Sequence, residues 1–410
     1  MSQRAQSNYI PALTGVRAMA AYLVFISHFA YVFDEKFPHS VQRFFNEFHI
    51  GVTIFFVLSG FLIAFRYFDS FKLTKAWFLQ YLKNRVARIY PMYALLTIGA
   101  FIAYHFTQNQ TVTAGQNPVV MFFMNIVFMR GFFDQFKFTG IAQGWSLTVE
   151  ECFYFSAPFI FLIATKYKKF YIQPIAVTGL GALLVFIFSH VNWFGFFGNF
   201  TFMMLYTFLG RCFEFYAGIQ LALIVRKQKL DGTSKKKFTY LGFFMIFFCV
   251  WIMSALTIPK GYEAGLHNPW GIVTNNYLLA ISITIFFYGL LTETTFLKKF
   301  LSHPFIELLG KSSYIFYLIH LGFMYNFIHQ GMNSLNDYVF ELYDKWGVDW
   351  HSPFEYDSLN LLYAFIVLNI VSITLFKLIE EPLNHYIRKS DFLIKNKARN
   401  PENESAKIKA

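Results

Sequence analysis

Apolar residues fall into long runs that are separated by shorter polar and basic gaps along the chain. A helical run of roughly 18–22 apolar residues is long enough to cross a hydrocarbon core of about 30 Å, so each run predicts a transmembrane helix. The pattern predicts an all-α, polytopic membrane helix bundle of about ten spans. The spans lie near residues 10–30, 48–65, 89–107, 145–165, 172–190, 200–225, 238–258, 272–291, 312–329 and 358–378.

Lysines and arginines concentrate in every second gap between the predicted spans. Because basic loops remain in the cytoplasm, this alternation predicts that both termini are cytoplasmic. Residues 118–133 are apolar but short, and counting them as a crossing would break the alternation. We therefore expect a re-entrant or interfacial segment on the outer side, which is tolerated where it lines a protein cavity.

Composition supports a membrane protein and argues against several other classes. Hydrophobic residues make up 56% of the 410 residues and charged residues 14%, against about 25% charged residues in average chains. The net charge of +12 follows the basic gaps, and no base-stacking platform accompanies it, so nucleic acid is not an expected partner. Cys152, Cys212 and Cys249 lie within apolar runs and are expected to be packed thiols.

Two domains of unequal size are expected. Residues 1–390 would form the membrane domain, and residues 391–410 would form a disordered, basic cytoplasmic tail because they are polar and charged. No internal repeat is visible, which weakens the case for a transporter built from two repeated halves.

Arg17 and His28 are ionisable residues inside the first predicted span, where such groups are costly and by default suggest function. Their separation corresponds to about 16 Å along a helix and to nearly three full turns, so both lie on one face. Arg17 would lie near the cytosolic interface and His28 just beyond mid-membrane. The alternatives are a snorkelling arginine and a core histidine that is bonded to a backbone carbonyl.

Glu150 and Glu151 lie about 8 Å below the outer surface in the fourth span, close to the depth expected for His28. A carboxylate beside a histidine fixes the imidazole tautomer and raises its basicity. The sequence therefore predicts that one of these acids contacts His28. The other acid could simply belong to the outer headgroup zone.

Further charged residues allow both structural and functional interpretations. Arg211 and Glu214 stand one turn apart in the sixth span, which favours a structural ion pair that lowers the cost of both charges. Arg85 and Arg88 precede the third span and could form a fork for phosphate, or only anchor the helix at the cytosolic interface. His320 in the ninth span could pack in the core or line a cavity.

Taken together, these residues resemble the acyltransferase-3 family of bacterial membrane O-acyltransferases. The resemblance covers about residues 8–390, and Cys152 occupies a position where the family often has Gln. Six motifs occur in the family's order: R-x10-H at Arg17 and His28, FFVLSGFLI at 55–63, R-x-x-R-I-Y-P at 85–91, a WSL-x-x-EE-x-FY-like stretch at 145–154, SYxxYLxH at 313–320, and Glu380-Glu381-Pro382.

The resemblance implies an enzyme of the plasma (bacterial inner) membrane that moves an acyl group, most often acetyl, from cytosolic acyl-CoA without a metal. The acceptor would be a hydroxyl of a cell-envelope glycan, glycolipid or similar molecule. We expect the CoA phosphates near Arg85 and Arg88, with Arg17 guiding the pantetheine arm. His28 would act as general base or transient acyl carrier, oriented by Glu150 or Glu151.

The acceptor side is expected to involve Trp145, Tyr314 and His320, with residues 118–144 shaping a cleft that opens outward. Some members of the resembled family carry a fused extracytoplasmic esterase-like domain; we expect this chain to act alone or with a separate partner. The competing hypothesis is a transporter or flippase, in which the buried ionisable residues form a proton or substrate pathway. A membrane scaffold without chemistry is a third.

Overall fold

The computed structural model describes residues 9–33, 37–107, 111–112, 115–191, 193–228 and 237–394. Within these ranges the chain is almost entirely helical, and the isolated bridge between Phe133 and Phe196 is the only strand-like pairing. The predicted all-α class is confirmed. Most of the tail expected at 391–410 lies outside the described residues.

The α-helices are numbered in chain order. They are α1 (Pro11–His28), α2 (His39–Asn46), α3 (Gly51–Tyr67), α4 (Lys75–Thr107), α5 (Pro118–Ile126), α6 (Trp145–Lys166), α7 (Ile172–Phe188), α8 (Phe200–Tyr206), α9 (Phe208–Val225), α10 (Phe238–Ala255), α11 (Pro269–Val273), α12 (Leu279–Thr292), α13 (Phe296–Leu301), α14 (Pro304–Ile319), α15 (Phe323–Trp346), α16 (Asp357–Leu375) and α17 (Glu381–Lys389). Short 3-10 turns include Met129–Phe132 and Ala142–Gly144, and π segments occur at Thr274–Leu278 and Phe376–Glu380.

Seven helical stretches of the described chain are long and apolar enough to cross a membrane, which agrees with the predicted polytopic bundle. The predicted number of about ten spans and the side on which the termini lie stay predictions. α1 is not among the seven, because Arg17 and His28 reduce its apolar character, and α7 is apolar but has 17 residues. The seven are His39–Tyr67, Lys75–Thr107, Ala142–Lys166, Phe200–Val225, Phe238–Ala255, Pro269–Thr292 and Asp357–Lys389.

The ninth predicted span is interrupted in the structure. α14 ends at Ile319 and α15 begins at Phe323, with Gly322 between them at a φ of 76°. This left-handed conformation favours glycine and ends the helical path. α15 is amphipathic and has only Met332 buried. The predicted continuous helix over 312–329 is therefore wrong, and His320 lies at the end of α14 rather than within a helix.

The segment expected to re-enter forms only the nine-residue helix α5, which Asn117 caps by accepting from the amides of Val119 and Val120. At 1.5 Å per residue it is about 13 Å long, too short to cross a bilayer. Phe128 then adopts a positive φ of 62° and leads into the 3-10 turn Met129–Phe132. That the segment is interfacial or re-entrant on the outer side stays a prediction.

Glycines allow the central helices to approach each other closely. A side chain at Gly218 of α9 would meet the Val57 carbonyl oxygen of α3, and one at Gly310 of α14 would meet the Thr14 carbonyl oxygen of α1. Small residues at helix contacts are typical of membrane proteins, because the helices there associate through close packing. These contacts hold α1 beside α14 and α3 beside α9, and they place the motif residues of α1, α3 and α14 around a common space.

Candidate active site

Two adjoining cavities lie in the bundle and have Arg17, Leu62, Arg85 and Arg88 in common. The wide cavity has a volume of about 720 Å³ and includes Tyr9, Ile10 and other residues from the N-terminal end of α1. The narrow cavity has a volume of about 100 Å³ and extends to α3, α6 and α14. The three arginines therefore stand where a wide approach meets a small chamber.

The wide cavity is strongly electropositive. Six basic residues line it against two acidic ones, Glu380 and Glu381. A cleft lined by one sign of charge attracts ligands of the opposite sign. The basic residues come from α1, α3, α4, α14 and α17, and they are Arg17, Arg66, Arg85, Arg88, Lys311 and Arg388.

Arg85 and Arg88, which the sequence predicts as a matched fork, have different surroundings. Arg88 Nη1 lies 3.0 Å from Glu380 Oε1, and the Glu380 side chain is almost fully buried. Arg85 instead lies over the rings of Tyr67 and Tyr154, with its Nε unpartnered among the described residues. Arg88 is thus held by a carboxylate, whereas Arg85 keeps hydrogen-bonding capacity for a ligand.

Glu150 lines the narrow cavity and accepts hydrogen bonds from Ser59 Oγ and, at 2.6 Å, from Tyr154 Oη. Tyr314 lines the same cavity, and its hydroxyl donates to the Ile89 carbonyl oxygen at 2.9 Å. Glu151, the next residue on α6, is not among the lining residues. The structure therefore separates the two acids and places only Glu150 with Arg17 and Tyr314.

His28 is paired with a second histidine. His28 Nδ1 lies 3.1 Å from His320 Nε2; His28 is exposed at the end of α1, whereas His320 is fully buried. The predicted contact between His28 and Glu150 or Glu151 is not found among the hydrogen bonds of the described residues. The physical reason is that α14 packs along α1 and brings His320 to His28, while Ser59 and Tyr154 hold Glu150.

Tyr317 connects the narrow cavity to this histidine pair. Its side chain lines the cavity, and its ring centroid lies 5.8 Å from that of His320. The Tyr317 hydroxyl lies 2.9 Å from Ser146 Oγ, which lines the same cavity. Tyr317 therefore stands between the narrow cavity and His320, and neither histidine lines either cavity.

Three other predicted site residues lie outside both cavities. Arg211 and Glu214 are buried and form an ion pair, with Arg211 Nε donating to Glu214 Oε2 at 2.8 Å and Nη2 donating to Oε1 at 2.6 Å. Trp145 begins α6 and packs edge-on against Tyr206.

His, Cys, Asp and Glu side chains in the described part of the chain do not form a group of three or more that could hold a metal ion.

Sequence reasoning assigned no role to Ser59, Tyr154, Tyr317 or Glu380, although all four contact the site. Each lies within one of the quoted motifs, so the motifs contained a signal for them. Arg130 lies near the end of the apolar segment 118–133, where the sequence gives it no partner. Its burial depends on the fold of distant residues, which no local pattern indicates.

Comparison with known proteins places this geometry in a family. The model of a family described as "Acyltransferase domain" matches residues 10–380. "Putative peptidoglycan O-acetyltransferase YrhL" of Bacillus subtilis is 26% identical over 328 residues, which is 76% of this chain and 48% of that protein. "O-acetyltransferase OatA" of Staphylococcus aureus is 26% identical over 351 residues, covering 82% of this chain and 54% of that protein.

The chain spans about half the length of the curated relatives that it matches. No solved structure matches it. The family match covers nearly every element that contributes to the two cavities and the histidine pair, from α1 to the π segment that carries Glu380. The chain belongs to the acyltransferase family that its motifs resemble.

Proposed function

We propose that the protein is an O-acetyltransferase of the bacterial inner membrane that moves an acetyl group from acyl-CoA to a hydroxyl of a cell-envelope glycan or glycolipid. The observation that carries the proposal is the basic wide cavity that joins a narrow cavity at Arg17 and Arg85, with Tyr317 of the narrow cavity packed against His320 of the histidine pair. The names of the similar proteins support O-acetyl transfer, and one of them names peptidoglycan.

The basic wide cavity suits the nucleotide end of CoA, which carries several phosphates. Arg85 has no carboxylate partner among the described residues and can donate to phosphate oxygens, while Arg88 is fixed by Glu380. The pantetheine arm would then pass Arg17 into the narrow cavity. Its small volume fits the thin end of the donor and a short acyl group better than a long chain.

The histidine pair supplies a base for the acceptor hydroxyl. When His28 Nδ1–H donates to His320 Nε2, the His28 Nε2 lone pair is left for a substrate, because neutral imidazole has one donor and one acceptor nitrogen. His28 Nε2 would take the hydroxyl proton as the acceptor oxygen attacks the thioester carbon. A new C–O bond then forms, the C–S bond breaks, and the proton passes from His28 to the CoA sulfur.

A transient acyl carrier role for His28 is the alternative within the same reaction. In that case His28 Nε2 attacks the thioester carbon first and the acceptor hydroxyl displaces it afterwards. Rapid trapping at neutral pH during a single turnover with carbonyl-labelled acetyl-CoA separates the two routes, because an acyl-imidazole hydrolyses quickly in acid. Label bound to the protein indicates the carrier route, and its absence at every reaction time indicates direct transfer.

Release of CoA tests the proposal. Purified protein in lipid nanodiscs should bind acetyl-CoA saturably and release free CoA when an envelope glycan fraction is added. Mass spectrometry of envelope glycans from cells with and without the protein should show a difference of one acetyl group. Movement of a glycan from one side of the vesicle membrane to the other, with no release of CoA, would instead establish a flippase and refute the proposal.

Replacing Arg85 with glutamine should raise the KM for acetyl-CoA by about 10–100-fold, because a hydrogen bond to a charged group contributes about 1.5–3 kcal/mol. The measurement is steady-state CoA release over a range of acetyl-CoA concentrations. Arg226→Gln is the matched control, since Arg226 forms an ion pair with Asp69 and lines neither cavity. An unchanged KM in Arg85→Gln would show that the donor phosphates bind elsewhere.

A further inference from the structure

Arg130 is a buried cation whose charge is not balanced by a nearby acid. Arg130 is 0% exposed, and it takes part in none of the ion pairs found among the described residues. Its Nη2 donates to the Ile141 carbonyl oxygen at 2.6 Å, whereas Nε and Nη1 have no hydrogen-bond partner in the described part of the chain. Burial of an uncompensated charge is costly, and a guanidinium cannot give up its proton to avoid that cost.

The loop before α6 holds this guanidinium in place. Gly144 packs so closely that an added Cβ would clash with Arg130 Nη2. The 3-10 turn Ala142–Gly144 leads directly into α6, whose second residue is Ser146. Arg130 interacts electrostatically most strongly with Tyr93 and more weakly with Tyr317. The buried charge therefore lies against the turn that leads into Ser146, and Ser146 in turn bonds to Tyr317, which packs against His320.

Ser146 and Tyr317 form a short chain of hydroxyls. Their oxygens are 2.9 Å apart, and both approach the Gln143 carbonyl oxygen, Ser146 Oγ at 2.9 Å and Tyr317 Oη at 3.3 Å. Each hydroxyl has a single hydrogen to donate. If Ser146 donates to the Tyr317 oxygen, the Tyr317 hydrogen is released for a ligand, and hydrogen bonds linked in this way strengthen one another.

We propose that the Tyr317 hydroxyl donates a hydrogen bond to the carbonyl oxygen of the acyl donor, while Ser146 positions that hydroxyl and Arg130 stabilises the negative charge that develops on the oxygen. This inference rests on the proposed acyl transfer. When a nucleophile bonds to the carbonyl carbon, the electron pair of the C=O bond moves onto oxygen. It returns as the C–S bond breaks and the electrons leave with sulfur. Fixed donors and charges aimed at such an oxygen are often the largest contribution to catalysis.

Replacing Tyr317 with phenylalanine tests the donor directly. We expect kcat to fall about 10²–10³-fold, the usual effect of losing one such donor. The KM for acetyl-CoA should change little, because the lost bond strengthens mainly in the transition state. Infrared difference spectra with ¹³C-carbonyl acetyl-CoA should show the bound carbonyl stretch at lower frequency in the unchanged protein than in Tyr317→Phe.

The unchanged protein distinguishes failure of this inference from failure of the proposed function. If acetyl-CoA binds to it but Tyr317→Phe shows the same carbonyl frequency and the same kcat, the Tyr317 inference is refuted and acyl transfer stands. If acetyl-CoA does not bind to the unchanged protein at all, both are refuted. Ser146→Ala serves as a second variant should Tyr317→Phe not fold, and it should raise the carbonyl frequency in the same direction.

The role of Arg130 is tested by measurements that would not change if Arg130 only supported the fold. Arg130→Met and Gly144→Ala should both lower kcat and raise the carbonyl frequency of bound acetyl-CoA, the first by removing the charge and the second by displacing it. Arg130→Lys keeps the charge and should recover part of both effects. A lower yield of folded protein with an unchanged carbonyl frequency in all three variants would reduce Arg130 to a packing residue.

Discussion

Replacing His28 with alanine is expected to lower the rate of acyl transfer by about 10²–10⁴-fold, the range that general acid–base catalysis supplies. The protein should fold and insert normally, because His28 is exposed at the end of α1 and its hydrogen bond to His320 is its main polar contact. Single-turnover CoA release with saturating acetyl-CoA and acceptor measures the effect on chemistry apart from binding.

Two further histidine variants make this prediction sharper. His320→Gln leaves His28 in place but removes its imidazole partner, so the rate should fall less than in His28→Ala. His105→Gln is the matched control, because His105 is exposed near the end of α4 and belongs to neither cavity. Near-normal turnover in His28→Ala would remove His28 from the reaction, whatever the other two variants do.

Replacing Gly218 with leucine should destabilise the folded bundle by about 3 kcal/mol, because overpacking of a close contact costs about 1–3 kcal/mol and sometimes more. A side chain here meets the Val57 carbonyl oxygen and the Phe61 amide nitrogen, which are backbone atoms of α3 that cannot rotate away. Unfolding in detergent, followed by circular dichroism against denaturant concentration, gives the free energy change.

Gly179 provides the control for this substitution. It also lies within an apolar helix, α7, but an added Cβ there would have no neighbour within 4 Å. Gly179→Leu should therefore leave the free energy of unfolding nearly unchanged. Equal stability of the two leucine variants would mean that α3 and α9 do not approach as closely as described.

The helical architecture was largely predictable because the bilayer imposes a simple rule on the sequence. Apolar runs of sufficient length can only be helices or barrel strands, and the strand alternation is missing here. Hydropathy does not reveal the break between α14 and α15, because the left-handed Gly322 interrupts an apolar run without changing its mean hydropathy. Whether α1, α7 and α14 cross the membrane stays a prediction, because α1 is less apolar and α7 and α14 are shorter than the seven apolar stretches.

The site was predictable as a set of residues but not as a set of contacts. Arg17, Arg85, Arg88, Glu150 and Tyr314 line the same cavity, although Tyr314 was expected on the acceptor side. Their functional roles stay predictions. Depth along a helix can be counted from the sequence, but rotation about the helix axis and the choice of neighbour depend on packing. The sequence therefore predicted Glu150 or Glu151 as the neighbour of His28, whereas the structure has His320 there.

The same dependence on packing explains why the sequence did not indicate that Arg130 is buried beside the site. Its surroundings come from Tyr93, Ile141, Gly144 and, more weakly, Tyr317, which is nearly two hundred positions away in the chain. No periodicity connects positions that far apart. Only the folded chain shows that a charge in an apolar segment lies against the turn that leads into α6.

The boundary that the two cavities share also has a consequence for leakage of ions across the membrane. A broad polar hollow that reaches far into a membrane protein is a potential route for ion leakage, yet here the passage onward is bounded by three guanidinium groups. Fixed positive charge at a constriction repels protons and metal cations, as it does in selective pores. We therefore expect vesicles that contain the protein to keep a proton gradient even when no donor occupies the passage.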